Sequence, residues 1–97
     1  MRLEFSAFVE DDLDAIAAYI AEDSAQRALS FIRDIRDKFA KLQRNPLLYQ
    51  LRPDIGDTAR LATLGRYAIL FRVVGDVVRI ERVVYGGRDL PAVIDPQ

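Results

Sequence analysis

The chain has neither cysteine nor histidine. Those two absences exclude disulfides, zinc–thiolate centres, thiol nucleophiles, histidine triads and histidine acid–base chemistry. No apolar run is long enough to cross a bilayer and no leader-like segment precedes the first charged helix. No membrane association is therefore expected, and the cytoplasm is the expected compartment. Lysine is scarce too, since twelve of the fourteen basic residues are arginine. Arginine favours planar, bidentate contacts with carboxylate or phosphate, although a GC-rich genome yields the same bias. Repeats, linkers and low-complexity segments are missing, so the 97 residues are read as one small domain spanning 1–97.

What is present is apolar residue and segregated charge. The hydrophobic share is 51%, which suggests a densely packed core or apolar surface kept for another protein. The net charge of −1 conceals a polarity. Residues 1–23 carry Glu4, Glu10, Asp11, Asp12, Asp14, Glu22 and Asp23 against Arg2 alone. Residues 59–88 carry Arg60, Arg66, Arg72, Arg79, Arg82 and Arg88 against Asp76 and Glu81. The C-terminal half thus holds a positive field that the total hides.

Periodicity divides the chain into a helical part and a strand part. Met1 to Phe5 reads as a short strand. Ser6 is placed to cap a helix over about 7–22, with Glu10, Asp11 and Asp12 complementing its dipole. Val9, Leu13, Ile16 and Ile20 form its apolar stripe. Ser24 caps a second helix with a stripe of Phe31, Ile32, Ile35, Phe39 and Leu42, ended by Asn45-Pro46. Only Asp23 and Ser24 separate the two, which predicts an antiparallel helical hairpin. Residues 46–58 lack periodicity and read as a loop whose Leu47, Leu48, Tyr49 and Leu51 pack down. Three strands follow, Arg60–Leu64, Tyr67–Val74 and Val77–Tyr85, the last two joined by a Gly75-Asp76 turn. The apolar character of both faces of the last strand marks it as central. The predicted fold class is α+β, an N-terminal strand and a helical hairpin packed on a small antiparallel sheet with three C-terminal strands.

In this order the segments resemble the RelE/ParE toxin superfamily, and its ParE-like branch in particular. The resemblance begins at Asp12-Leu13-Asp14-Ala15-Ile16-Ala17-Ala18-Tyr19-Ile20 and runs through Phe31, Ile35 and Leu42 to Asn45-Pro46. It is sharpest in Leu64-Gly65-Arg66-Tyr67-Ala68-Ile69-Leu70-Phe71-Arg72-Val73 and in Ile80-Glu81-Arg82-Val83-Val84-Tyr85-Gly86-Gly87-Arg88-Asp89-Leu90. ParE-like chains typically begin the central hairpin with Gly-Arg-Tyr and end in a stretch like His-Gly-Arg-Arg-Asp. The resemblance implies a toxin of a type II toxin–antitoxin pair, of the plasmid-stabilisation kind, wrapped by the C-terminal segment of a ParD-like antitoxin in a hetero-oligomer. It implies DNA contact only through that antitoxin, and DNA gyrase as the target. RelE-type relatives instead cut messenger RNA on the ribosome, and a degenerate relative that binds its antitoxin harmlessly is a third alternative.

The RelE chemistry is carried over poorly. Cleavage needs a group to move a proton and cations to stabilise charge on phosphorus. Arg88 stands where the post-strand arginine is expected, but Thr63 lies near the hairpin arginine's place, with Arg60 and Arg66 as substitutes. The loop at 46–58 has no lysine, and the expected tail tyrosine falls near Ile94. No catalytic residue is therefore expected; were the chain a ribonuclease, Arg88 and Tyr85 would carry it. Arg60, Arg66, Tyr85 and Arg88 are candidates for a target-binding patch, the glycine pair Gly86-Gly87 permitting a sharp turn and close approach. Val9, Leu13, Ile16, Phe31 and Ile35 are candidates for the antitoxin groove or for the core. Plain alternatives stand beside these. Arg88 could pair with Asp89 or Glu81, Tyr85 could pack at a strand end, and Arg66 could only hold the hairpin. Asp11, Asp12 and Asp14 are read as serving the helix dipole and solubility, so no metal or other cofactor is expected.

Overall fold

The computed structural model describes residues 1–87 and Leu90. Strand β1 (Arg2–Phe5) leads into helices α1 (Val9–Ala21) and α2 (Ala25–Arg44). A single 3-10 turn, Pro46–Leu48, precedes strands β2 (Ala59–Leu64), β3 (Tyr67–Val74) and β4 (Val77–Tyr85). The sheet order is β1-β4-β3-β2. The three C-terminal strands are antiparallel, and β1 joins β4 in parallel, which makes the sheet mixed. The apolar third strand of the C-terminal trio is indeed interior, flanked by β1 and β3.

The helices form because their apolar residues repeat on one side. Val9, Leu13 and Ile16 of α1 and Ala28, Ile35, Phe39 and Leu42 of α2 are buried against the sheet. All of these but Ala28 meet Ala62, Ile69, Phe71, Val78, Ile80 and Val83 in the main core. Each large aliphatic side chain so covered contributes about 1.5–3 kcal/mol of transfer free energy. Ser24 caps α2 as its sequence suggests, accepting the Arg27 N–H at 3.2 Å. Ser6 behaves differently. α1 starts at Val9, two residues later than expected, with Phe8 at the cap position and no side-chain cap. The Ser6 hydroxyl accepts the Phe8 N–H and donates to the carbonyl of Glu81, so it serves the edge of β4 as well as the helix start.

Both hairpins close on glycines in the left-handed region, Gly65 at φ +57° and Gly75 at φ +60°. Opposite Leu70 and Phe71, β4 carries one extra residue, Glu81, between the paired Arg82 and Ile80. This bulge shifts the alternation, so that Ile80 and Val83 both enter the main core. A second apolar cluster lies on the far face, where Ala59, Ala68, Leu70 and Val84 are covered by Ile55 and Leu90. The loop before β2 therefore packs down through Pro46, Tyr49 and Ile55, with the Tyr49 ring edge-on to Phe71 at 5.9 Å. Leu47, Leu48 and Leu51 were expected to pack with it and do not. The 3-10 turn points Pro46 inward, which leaves the two leucines after it on the outside.

Candidate functional site

Beyond Phe5 the parallel neighbour of β4 runs out, because Phe5 pairs with Ile80 while β4 continues to Tyr85. An uncovered strand edge presents unpaired backbone groups. Here the start of the helical hairpin takes them up. Ser6 binds the carbonyls of Ile80, through its N–H, and of Glu81, through its hydroxyl. One turn into α1, Asp12 accepts the Val83 N–H at 3.0 Å and both nitrogens of the Arg82 fork at 2.8 Å. The Arg82 guanidinium also lies 5.1 Å from the centroid of Phe8. Its hydrogen bonds to the Asp12 carboxylate raise the pKa of Arg82 above its ordinary value, against the opposing effect of partial burial. Asp12 is thus a structural clasp between α1 and β4. The remaining arginines of β3 and β4 meet Glu81 on the far face, Arg79 Nε at 2.6 Å and Arg72 Nε at 3.5 Å.

Past this clasp α1 and β4 diverge and leave a cleft of about 490 Å³. Ala15, Ile16 and Tyr19 form one wall, the Val83–Tyr85 edge the other, with Arg66 and Tyr67 at the end. A second cleft opens between the tip of the helical hairpin and the β2–β3 turn, lined by Phe31, Asp23 and Arg27 among others. The two share Tyr19, Arg66 and Tyr67 and form one continuous groove. Its floor is an aromatic row. Phe31 of α2 lies 5.1 Å from Tyr67 of β3, which meets Tyr85 of β4 edge-on at 6.4 Å.

The glycine pair shapes the rim. The Gly86 N–H donates to the Arg66 carbonyl at 2.8 Å, tying the end of β4 to the β2–β3 turn. A Cβ on Gly86 would stand 3.2 Å from that carbonyl, and one on Gly87 would stand 2.5 Å from the Tyr85 ring. A side chain at Gly86 would crowd backbone, whereas one at Gly87 would meet a ring that can move aside. Tyr85, still half exposed, rests over Gly87.

Of the four residues expected in the target patch, the structure brings two together, Arg66 and Tyr85. Arg60 lies at the other end of β2, where it donates to the Tyr49 carbonyl at 2.6 Å. That bond holds the preceding loop against the strand, so Arg60 belongs to a different region. Arg88 and Ile94 lie outside the described residues. Of the five groove candidates, Val9, Leu13 and Ile35 are wholly covered by this chain and belong to its core. Ile16 is buried but lines the cleft from beneath, and Phe31 is half-buried in the groove wall. Sequence reasoning did not single out Tyr19, which is 69% exposed and lines both halves of the groove. Its signal was the helical spacing of Asp12, Ala15 and Tyr19, a second stripe flanking the buried one.

The family model for the ParE toxin of the ParDE type II toxin–antitoxin system matches residues 3–90. The chain belongs to the ParE toxin family. Its fold is similar to a solved chain described as the chromosomal ParDE toxin–antitoxin system from P. aeruginosa, with a TM-score of 0.75 and 28% identity. That match covers 88% of this chain and 95% of the other. No curated protein matches. Among the described residues, no helix is long and apolar enough to cross a membrane.

Proposed function

We propose that this ParE-family chain is the toxin of a type II toxin–antitoxin pair, neutralised by a cognate ParD-like antitoxin and acting by inhibiting DNA gyrase. It works by stoichiometric binding rather than by catalysis. The observation that carries this reading is the placement of Arg66 and Tyr85 on the rim of one open, aromatic-floored groove. Gly86 and Gly87 lead directly from that rim to Arg88 in the sequence. The groove is a seat for an antitoxin segment, Ile16, Tyr19, Phe31 and Tyr67 supplying its apolar surface. The exposed rim, continued by Arg88, is the part offered to the target. Contact with DNA comes through the antitoxin, within a hetero-oligomer in the cytoplasm.

The stoichiometric reading draws on chemistry as well. Turning an RNA 2′-hydroxyl on its phosphate requires a group that takes a proton. The chain has no histidine, and its two lysines are both on α2. Lys38 there sits 5.2 Å from the centroid of the Tyr49 ring, beside the strand end that Arg60 occupies.

The test is supercoiling by purified gyrase titrated with the purified chain. Inhibition that saturates near one toxin per gyrase site is expected. Arg88→Ala and Tyr85→Ala should weaken it while leaving the circular dichroism spectrum and melting curve intact. Undiminished inhibition by a folded Arg88→Ala variant would remove that residue from the patch. Messenger RNA cut in a translating extract, with gyrase untouched, would replace the reading with the ribonuclease.

A further inference from the structure

We infer that Arg66 is the specificity-determining residue of the groove, a fixed cation that selects a carboxylate carried by the seated peptide segment. The inference rests on the reading that the groove seats an antitoxin segment, and it adds the chemistry by which that segment is chosen.

Arg66 lines both halves of the groove and so stands at their junction. Its backbone is fixed twice. It follows Gly65 in a two-residue turn closed by the Leu64–Tyr67 pair, and its carbonyl accepts the Gly86 N–H. Its side chain is exposed, and among the described residues no carboxylate lies within ion-pair distance of it. Asp12, the acid at the far end of the β4 half, is already engaged by the Arg82 fork and the Val83 N–H. An exposed guanidinium, unpaired among the described residues and beside the Tyr67 and Tyr85 rings, leaves a seated partner two choices. It must bring an anionic acceptor, or cover a cation that has lost its water.

That acceptor is a carboxylate on a peptide rather than the backbone of a nucleic acid. The groove's hairpin half is itself lined by acids, Asp23 and Asp34. A polyanion would run past these acids and be repelled by them. A peptide needs one acidic residue at Arg66, and its apolar residues rest on Ile16, Phe31 and Tyr67. The same contact has a regulatory consequence. A segment whose carboxylate holds Arg66 also covers Tyr85, so recognition of the antitoxin withdraws the rim from the target in one step.

The experiment selects a phage-displayed library of random peptides on the purified full chain and on its Arg66→Glu variant, both checked for native melting. Peptides from the unaltered chain are expected to share apolar positions and an acidic residue at fixed spacing, and those from Arg66→Glu a basic one. A synthetic acidic peptide should bind Arg66→Glu on the order of tenfold more weakly, a reversed rim charge being worse than a missing one, and Arg66→Lys within about threefold. Peptides that need Tyr19 but bind Arg66→Glu unchanged would overturn the inference and leave the groove reading standing. Peptides indifferent to both Tyr19→Ala and Arg66→Glu, or no selected peptides at all, would count against both. A labelled single-stranded oligonucleotide that binds the chain and is released by Arg66→Glu would overturn the inference in favour of a polyanion.

Discussion

The residues that decide this site are small groups in tight places. Asp12 satisfies one backbone N–H and both prongs of Arg82 with a single carboxylate that is mostly sheltered from water. Removing it leaves a partly buried cation and an unpaired amide. Asp12→Ala is expected to cost about 2–3 kcal/mol in urea denaturation, and Asp12→Asn less, since the amide oxygen still accepts the Val83 N–H. The glycines give a contrasting pair. Gly65 has open space around it but φ +57°, so Gly65→Ala should cost about 1 kcal/mol through strain alone. Gly87 lies under the movable Tyr85 ring, so Gly87→Ala should leave stability nearly unchanged and displace that ring, read as shifted Tyr85 proton resonances. Unshifted resonances in that variant would contradict the packing described. The sequence announces that Gly86 and Gly87 matter. It cannot announce that Gly86 approaches the Arg66 carbonyl, because that contact joins segments distant in the chain.

At the scale of elements, local patterns carried far and edge chemistry did not. The stripes of α1 and α2, the Ser24 cap and the boundaries of β3 and β4 follow from spacing and turn residues, and all appear where those place them. Ser24→Ala should therefore cost about 1 kcal/mol and fray the first turn of α2, seen as faster amide exchange at residues 25–28. The start of α1 could not be read in the same way. Ser6 looks like an ordinary cap until β4 is alongside, when its hydroxyl also serves the Glu81 carbonyl. Leu47 and Leu48 were misplaced for a related reason, since a single 3-10 turn sets their direction and has no periodicity to reveal it. The bulge at Glu81 likewise has no local signature, yet it turns Val83 into the core beneath the groove.

For the whole molecule, the charge asymmetry goes mostly into internal pairs, Arg82 with Asp12 and Arg79 with Glu4 and Glu81, and leaves Arg66 to the groove. Helix α1 forms one flank, and the arginine-rich hairpin closes the other with Arg66. Segment order and the Gly-Arg-Tyr start of β3 made the family legible from the sequence. The site was half legible. Arg66 and Tyr85 are brought together, but Arg60 went to the far end of its strand, because the extended chain and turn from Leu61 to Gly65 separate it from Arg66. Most of the groove candidates proved to be core for a general reason. A helix's most apolar stripe faces its own sheet, and a partner is left the flanking stripe, here Ala15 and Tyr19. The central claim is that this chain, freed of its antitoxin, stops DNA replication by binding gyrase. Its most direct test is a pulse-label of DNA and protein synthesis after the chain is induced alone in bacteria. The account predicts that DNA synthesis falls first while translation continues; translation falling first would contradict it.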